Sequence, residues 1–337
     1  MKKWFFMFLM VCLTLSMVMA TGSRDKGTSD ADHTFVIGYG VTGGLCAAPF
    51  YIAEAKGYYE AEGLKWEKFN IEPGTALNLL TSGQIDGTYQ LLATLIQPIA
   101  NGLDVKIPLG LHTGCIKVMV SPDSPIQNPA DLKGKKIGVS GLATSTAVIP
   151  KRYLAELGFK VEGENADVEF VVYPSAELPL ALERGLVDAI GTEDPTATIT
   201  ENAGKGRVII NSATDDYLRD EFCCVTPIRS EAVKKYPESS AKFVRAIQKA
   251  AKFVQENPEE TARILADNHY VAGEAVVNAQ ILRTFNYRAS VPEAHTAINR
   301  NARDLQRIGL LDTGVDVNAL VENTFIALPG VPDSLFK

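Results

Sequence analysis

The sequence predicts an α/β fold in which mainly parallel sheets are flanked by helices, and three observations favour it. From Thr34 onward, short runs rich in β-branched residues alternate with segments of helical periodicity. Gly83-Gln-Ile-Asp86 and Gly185-Leu-Val-Asp188 recur at a spacing of 102 residues, and Ile37-Gly38 and Ile137-Gly138 at a spacing of 100. This recurrence predicts two similar lobes. The length of 337 residues is also enough for two domains.

The predicted elements of the first lobe alternate between strand and helix, and glycines close or open the helices. They are a strand at residues 34–38, a helix at 47–62, a helix at 74–82, a strand at 85–89 and a helix at 91–101. After Ile228 the pattern changes to helices, because prolines and acidic residues precede amphipathic runs. These helices are predicted after Pro237-Glu-Ser-Ser240 up to residue 255, from 258, at 273–288 and at 298–308, and they form a helical C-terminal extension.

The composition excludes several classes of protein. Hydrophobic residues make up 46% of the chain, enough to fill two cores, which excludes a disordered, collagen-like or coiled-coil chain. The net charge of −7 speaks against a nucleic-acid-binding surface. The expected partners therefore do not include DNA or RNA.

The N-terminus predicts an export signal. Lys2 and Lys3 precede an apolar run over residues 4–19 that ends in the small-residue pattern Val18-Met19-Ala20. We expect cleavage after Ala20 and a flexible linker over residues 21–33. The alternatives are a membrane-anchoring helix and a lipoprotein acylated at Cys12, although Val11 stands where a lipoprotein signal needs a small residue. The mature protein is expected to be periplasmic or otherwise extracytoplasmic.

Motifs of enzyme active sites are largely missing. The four histidines form no H-E-x-x-H zinc motif, and no G-x-S-x-G nucleophile motif is present. Gly38-Tyr-Gly40-Val-Thr-Gly43 matches the G-x-G-x-x-G pattern of dinucleotide sites. The next helix, however, is predicted to begin only near Ala47, too late for Gly43 to present a helix N-terminus to a pyrophosphate. The sequence therefore favours a binding protein over an enzyme.

Polar loops of small residues follow the predicted strands and indicate a binding cleft. In an open α/β sheet, ligands bind beyond the carboxyl ends of the strands, where helix N-termini offer free backbone N–H groups. The candidate ligand-binding residues in these loops are Thr42, Gly43, Gly44, Cys46, Pro49, Thr75, Tyr89, Gln90, Thr144, Ser145, Thr146, Thr192, Glu193 and Asp194.

Four cysteines beyond the predicted signal are expected to border the same cleft, with His112 beside them. Cys46 lies in the first cleft loop, and Cys115, Cys223 and Cys224 fall outside the predicted helices and core strands. One interpretation is a disulfide or inert buried thiols. The other is a site for a thiophilic metal or a metal cluster. Because successive strand residues point to opposite faces, we expect only one of Cys223 and Cys224 to enter the cleft.

Four segments resemble a known family: Cys46–Leu64, which ends in Gly57-Tyr-Tyr-Glu-Ala-Glu-Gly-Leu64, Gly83–Asp86, Asp131–Gly138 and Tyr236-Pro-Glu238. Over roughly residues 35–268 the chain resembles the solute-binding proteins of nitrate, sulfonate and thiamine-precursor (NitT/TauT-type) ABC transporters. The resemblance implies a two-lobed type II periplasmic binding protein fold with a cleft between the lobes. Lobe 1 would comprise residues 34–113 and 227–337, and lobe 2 residues 114–226.

The resemblance implies a monomeric protein that captures a small solute, closes by a hinge motion and delivers the solute to an ABC permease and its ATPase, with no cofactor required. The cleft loops contain Glu193 and Asp194 but no lysine or arginine. This favours a neutral, cationic or metal-bearing solute over nitrate or a simple sulfonate. Alternatively, both carboxylates point away and helix N-termini hold an anion. Two other functions stay open: an exported enzyme acting on a pyrimidine-type precursor, and a thiol-based metal or metal-cluster binding protein.

Asp86 and Asp188 are predicted to be structural. Each follows a helix-ending glycine and lies within a short apolar strand, where a carboxylate can cap a nearby loop. Equivalent positions in two lobes would lie far apart, so we expect no joint role in binding.

Overall fold

A computed structural model of the protein describes residues 29–40, 44–72 and 74–336. The predicted signal with Cys12, and the predicted linker up to residue 28, lie outside the described residues. The strands are β1 Phe35–Gly40, β2 Trp66–Ile71, β3 Gln90–Leu91, β4 Val105–Lys106, β5 Gly110–Thr113, β6 Ile116–Val120, β7 Lys136–Val139, β8 Glu169–Val172, β9 Ala189–Glu193, β10 Arg207–Asn211, β11 Phe222–Val225 and β12 Ile228–Arg229.

The helices surround these strands, and the long amphipathic ones are concentrated near the C-terminus, as predicted. The helices are α1 Ala48–Ala55, α2 Tyr58–Ala61, α3 Ala76–Ser82, α4 Leu92–Ala100, α5 Ser145–Glu156, α6 Leu178–Glu183, α7 Thr196–Asn202, α8 Ser230–Lys235, α9 Pro237–Glu256, α10 Pro258–Asp267, α11 Ala275–Leu282, α12 Val291–Arg307 and α13 Val317–Thr324. In the described part of the chain, no helix is both long and apolar enough to cross a bilayer.

The predicted α/β class is confirmed, but the sheets are mixed. β1 pairs in parallel with β2, and the five-stranded sheet has the order β10-β6-β9-β7-β8. In that sheet β7 runs parallel to β8 and β9, whereas β6 runs antiparallel to β9 and β10. β11 pairs antiparallel with both β3 and β5. In the five-stranded sheet, β6 is therefore the strand that runs against the other four.

Helix α9 packs on the sheet of β1 and is capped from the N-terminal segment. Phe243 of α9 stacks on Phe35 of β1, with ring centroids 5.0 Å apart. Asp30 accepts hydrogen bonds from the backbone N–H groups of Glu238 and Ser239 at 2.7 and 3.0 Å. The end of the predicted linker, from residue 29 to 33, is therefore packed against the fold, because Asp30 satisfies N–H groups that α9 leaves without an internal partner.

Four predicted elements differ from the observed ones, and one of them is the helix predicted over 273–288, which ends at Leu282. The helix predicted over 47–62 is interrupted at Gly57, whose φ of 66° is left-handed. The strand predicted over 85–89 is reduced to isolated bridges from Gly87 to Ile37 and Ile228. Helix α12 begins at Val291, earlier than predicted, and α13 was not predicted at all. Both are capped by a side chain just before the helix, that of Ser290 and that of Asp316 respectively.

Candidate functional site

A cavity of about 380 Å³ opens where β1, β2 and β9 end. The ends of these strands come from two different sheets, so loops of both sheets form its walls. The described residues that line the cavity are Gly40, Gly44, Cys46, Ile71, Glu72, Gly74, Ala76, Thr88, Tyr89, Gln90, Leu91, Glu193, Asp194, Pro195, Thr196 and Cys224.

The structure brings part of the predicted site set to this cavity. The predicted residues that line it are Gly44, Cys46, Tyr89, Gln90, Glu193, Asp194 and Cys224. Thr42 and Gly43 lie outside the described residues. The predicted residues that are described but do not line it are Pro49, Thr75, His112, Cys115, Thr144, Ser145, Thr146, Thr192 and Cys223. Several of these lie directly behind the lining, as shown by Thr75, whose neighbours Gly74 and Ala76 both line the cavity.

Some lining residues were missed by the sequence analysis because strand β2 was not predicted. Ile71 is the last residue of β2, and Glu72 follows it. The rule that ligands bind at the carboxyl ends of strands would have selected both residues once that strand was known.

Hydroxyl groups at the N-terminus of α5 bond to one another beside the cavity. The Oγ1 atom of Thr146 lies 2.8 Å from Oγ of Ser140 and 2.7 Å from Oγ1 of Thr144. The N–H of Ser140 donates to the same Thr146 oxygen at 3.2 Å. These hydrogen bonds occupy the hydroxyl groups of Thr144 and Thr146, two of the predicted binding residues, with partners inside the protein.

The charge of Asp194 is matched by Lys117. The prediction that Glu193 and Asp194 are two carboxylates without a cation is therefore wrong for Asp194. Lys117 Nζ lies 3.2 Å from Asp194 Oδ2, and their side chains are 7% and 1% exposed. Asp194 Oδ1 also accepts hydrogen bonds from Thr198 N at 2.9 Å and from Thr198 Oγ1 at 2.7 Å. Lys117 lies on β6, opposite Thr192 of β9, so strand pairing supplies a cation that the cleft loops themselves do not contain.

Glu193 is the carboxylate of the pair that stays without a cation. Within the described ranges, no salt bridge reaches its side chain, which lines the cavity. Burial, together with the neighbouring charges of Cys46, Cys223 and Asp194, raises the pKa of Glu193 to about 7. Glu193 can therefore present either a carboxylate or a proton donor to a ligand near neutral pH.

Cys46, His112 and Cys224 form a compact cluster at the floor of the cavity. Their thiol and imidazole ligand atoms all lie within 4.8 Å of one another. Cys46 is in the 3-10 turn Leu45–Ala47 that precedes α1. Cys224 lies opposite His112 where β11 pairs with β5. The turn and the strand pair together position the cluster.

Cys115 and Cys223 extend this group of thiols. Cys115 is 2% exposed, and its thiol lies against those of Cys223, Cys224 and Cys46, which raise its pKa well above the usual value. A bulge in β11 leaves Cys223 out of register with β5, and Cys223 borders a separate small hollow. The expectation that the cysteines avoid core strands is wrong, because Cys223 and Cys224 both lie in β11.

All four described cysteines are free thiols. The neighbouring Cys115 and Cys224 thiols lower the pKa of Cys46 well below its usual value. The same two neighbours lower the pKa of Cys223 to about 5. Burial opposes protonation of His112, but Cys46, Cys223 and the carbonyl group of Thr113 together outweigh burial and raise its pKa. Cys46 and Cys223 therefore ionise most readily, whereas the raised pKa values of Cys115 and Cys224 keep those two thiols protonated.

A family model described as NMT1/THI5 like matches residues 46–261. The chain belongs to the NMT1/THI5-like family. This NMT1/THI5-like chain is 25% identical over 332 residues to a putative aliphatic sulfonates-binding protein of Bacillus subtilis (strain 168), covering 94% of this chain and 95% of the relative. It is also 28% identical over 253 residues to a 4-amino-5-hydroxymethyl-2-methylpyrimidine phosphate synthase of Aspergillus parasiticus, covering 71% of this chain and 72% of that enzyme.

A solved structure supports the fold assignment of this NMT1/THI5-like chain. The periplasmic aliphatic sulphonate binding protein of Escherichia coli superimposes with a TM-score of 0.71 at 18% identity, covering 90% of this chain and 95% of that one. The periplasmic binding protein fold and the family predicted from the sequence are therefore confirmed. The lobe boundaries at residues 113/114 and 226/227 stay a prediction.

Proposed function

We propose that the chain is the extracytoplasmic solute-binding component of an ABC importer. The observation that carries the proposal is the cavity of about 380 Å³ between loops of two different sheets. Its volume suits a small molecule, and its walls combine apolar groups with a few polar side chains. The Bacillus relative, which is named as a binding protein and matches almost the whole chain, supports the same function.

The proposed lobes supply opposite walls of the cavity. Gly40, Tyr89 and Gln90 come from lobe 1, and Glu193 and Thr196 come from lobe 2. A solute that contacts both walls binds the closed form better than the open one, so it shifts the population towards closure. The closed form would then dock on a membrane permease whose ATPase drives uptake. The proposed function requires no cofactor, and a single chain contains both walls.

The proposed solute is neutral, cationic or metal-bearing. The described lining contains Glu72 and Glu193 but no lysine or arginine, and Lys117 behind it is already paired with Asp194. An anion would therefore face an unmatched carboxylate at Glu193. The competing solute class is an anion such as a sulfonate, which the name of the Bacillus relative suggests and which helix N-termini could hold.

Two measurements test the solute class. Mass spectrometry of the solute that co-purifies with the protein would identify it directly. Calorimetric titration at pH 8, above the pKa of about 7 of Glu193, would compare amines, heterocycles, nitrate and alkyl sulfonates. We expect Glu193→Gln to weaken binding of a cation at least about tenfold, which is about 1.4 kcal/mol, whereas the control Glu201→Gln, at an exposed residue outside the cavity lining, should change it little. Tight binding of nitrate or an alkyl sulfonate to the wild type would contradict the proposed class.

The proposed location follows from the N-terminal sequence and the relatives. Lys2, Lys3 and the apolar run after them predict export, with cleavage after Ala20 and acylation at Cys12 as the less favoured alternative. N-terminal sequencing and intact mass of the protein from its native cells distinguish the two: a free N-terminus at Thr21 supports cleavage, and a lipid-modified Cys12 supports anchoring.

An exported enzyme acting on a pyrimidine-type precursor is the second candidate function. The observation that favours it is the 28% identity to an enzyme named as a pyrimidine phosphate synthase. Incubation of the protein with the bound solute, followed by product analysis, separates the candidates. A binding protein returns the solute unchanged, whereas an enzyme converts it.

A further inference from the structure

The cluster of Cys46, His112 and Cys224 has the geometry of a metal site. Ligand bonds to a thiophilic ion such as Zn²⁺ are about 2.0–2.3 Å long, so two ligand atoms of one ion lie at most about 4.6 Å apart. The three ligand atoms already lie within 4.8 Å of one another, so small side-chain movements would bring them onto one ion. We propose that these three residues, with Cys115 as the fourth ligand, bind a single thiophilic metal cation, Zn²⁺ or Cu⁺.

The imidazole of His112 is oriented as a ligand. The residue is fully buried, and its Nδ1 lies 3.2 Å from the carbonyl oxygen of Thr113. A proton on Nδ1 donates to that oxygen, which leaves the lone pair of Nε2 directed at the two thiols. Among the described residues, Nε2 has no hydrogen-bond partner. A buried ring nitrogen without a partner is unfavourable unless a ligand occupies it.

Two aromatic residues hold the ligands in place. The His112 ring stacks on Phe285 with centroids 5.1 Å apart and an interplanar angle of 3°. Tyr287 also contacts the His112 ring, at a centroid distance of 5.1 Å, and its hydroxyl donates to the carbonyl oxygen of Leu45 at 2.5 Å. Leu45 directly precedes Cys46, so Tyr287 links the positions of the imidazole and the first thiol.

The structure distinguishes the fourth ligand from the remaining cysteine. The thiol of Cys115 contacts those of both Cys46 and Cys224. The thiol of Cys223 contacts, of the three cluster residues, that of Cys224, besides that of Cys115, and Cys223 borders the hollow beside Gly114. Sequence alone cannot make this choice, because it depends on the bulge in β11. The ligand set is therefore three thiols and one imidazole, with Cys223 outside it.

An ion can reach the cluster from the cavity. Cys46 and Cys224 line the cavity floor, whereas His112 and Cys115 lie buried behind them. This arrangement gives an entry path and a shielded site, as a metal site requires. Inert thiols used only as small apolar groups would explain the burial of the cysteines, but they would not require two thiols and an imidazole to converge within 4.8 Å of one another.

The test uses the mature protein, purified and reduced without oxygen and stripped of metal. Titration with Zn²⁺, with Cu⁺ buffered by a competing chelator, and with Co²⁺ as a spectroscopic probe should each show one ion per chain. Co²⁺ should give the visible bands of tetrahedral coordination and a thiolate charge-transfer band. Cys46→Ser, Cys224→Ser and His112→Gln should each weaken Zn²⁺ binding at least about tenfold. Cys223→Ser is the matched control and should leave the affinity unchanged.

Three results would overturn the proposal. The first is a wild-type affinity for Zn²⁺ and Cu⁺ no higher than that of a Cys46→Ser/Cys224→Ser double variant that keeps the melting temperature of the metal-free wild type. The second is a loss of Zn²⁺ affinity in Cys223→Ser that is as large as the loss in Cys46→Ser, Cys224→Ser and His112→Gln. The third is iron with acid-labile sulfide in the anaerobic protein, which would indicate a cluster in place of a single ion. Solute binding measured with metal-free protein tests the import function separately, because the metal site does not depend on that function.

Discussion

Asp86 and Asp188 make the same pair of hydrogen bonds in the two halves of the chain. The N–H of Val36 donates to Asp86 Oδ2 at 2.9 Å, and the N–H of Asp86 donates to the carbonyl oxygen of Val36 at 2.8 Å. The N–H of Lys136 donates to Asp188 Oδ2 at 2.8 Å, and the N–H of Asp188 donates to the carbonyl oxygen of Lys136 at 2.9 Å. The recurring aspartates therefore anchor equivalent strands, β1 and β7, and neither lines the cavity.

The two aspartates should differ in how much they stabilise the fold. Asp86 is buried and also pairs with Arg229 at 2.7 Å and His33 at 2.9 Å, whereas the side chain of Asp188 is 39% exposed. Because Asp86→Ala leaves a partly buried guanidinium without its carboxylate, we expect it to lower the free energy of unfolding by about 3 kcal/mol. Asp188→Ala loses mainly one charged hydrogen bond, at a cost of about 1–2 kcal/mol. Urea unfolding of both variants measures the difference.

Asp188→Ala should also lower the melting temperature without changing solute affinity by more than about twofold, or about 0.4 kcal/mol. A large loss of affinity with an unchanged melting temperature would show that the aspartate acts in binding instead.

Arg152 joins two parts of the chain that lie on opposite sides of the predicted lobe boundary. Its guanidinium is fully buried and donates to Glu221 at 2.5 and 2.6 Å and to Asp304 of α12 at 2.7 Å. We expect Arg152→Met to destabilise the protein by about 3–5 kcal/mol, because two carboxylates lose their shared cation. Adding Glu221→Gln to that variant should recover part of the loss.

The control for Arg152 is Arg303, which lies on α12 next to Asp304. Arg303 is exposed and donates only to the side chains of Asn299 and Asn318 among the described residues. Arg303→Met should change the free energy of unfolding by less than about 0.5 kcal/mol. Equal effects of Arg152→Met and Arg303→Met on the free energy of unfolding, measured in denaturant titrations, would show that the buried ion pairs of Arg152 stabilise the fold no more than exposed contacts do.

The same network predicts a pH dependence. Burial opposes ionisation of Asp304, but Arg152, Tyr217 and Arg307 together outweigh burial and hold the pKa of this carboxyl below its ordinary value. A pKa that is lower in the folded state stabilises the protein above the unfolded-state pKa of about 4, and this contribution is lost as the pH falls through the folded value. The difference in unfolding free energy between wild type and Asp304→Asn should therefore be largest near pH 7 and shrink below about pH 4. A difference that stays constant with pH would contradict this assignment.

Local signals made much of the fold predictable. The C-terminal end of α9 was predicted to within one residue, because the apolar periodicity is strong, whereas the helix begins at Pro237 and so includes the segment that was expected to precede it. Strand β2 was missed because its residues, Trp66–Ile71, are mostly exposed or half-buried and show no clear alternation. The strand predicted over 85–89 is present only as bridges of Gly87 with Ile37 and Ile228. The equivalent aspartate, Asp188, makes the same hydrogen bonds and is followed by the regular strand β9, so the local sequence does not explain this difference.

The candidate site was predictable where its residues lie at the ends of strands. Cys46, Tyr89 and Glu193 were found because each lies just beyond a strand or before a helix, where clefts form. The partnership of Lys117 with Asp194 was missed, because it depends on which residues of β6 and β9 face each other. Register between distant strands is a tertiary property that one sequence does not determine.

Gly191 lets strand β9 approach the first turn of α5, next to the cavity. A Cβ atom at this position would lie 2.2 Å from the carbonyl oxygen of Thr146, and a backbone atom cannot move aside cheaply. We therefore expect Gly191→Ala to separate β9 from α5, to lower the free energy of unfolding by about 1–3 kcal/mol, and to weaken solute binding through displacement of the adjoining Glu193. Gly44→Ala is the control, because Gly44 also lines the cavity, has a φ of −101°, and would place its Cβ with nothing within 4 Å. Thermal unfolding and solute titration of both variants test the prediction, and a Gly191→Ala protein as stable as Gly44→Ala would show that the contact is relieved by backbone movement.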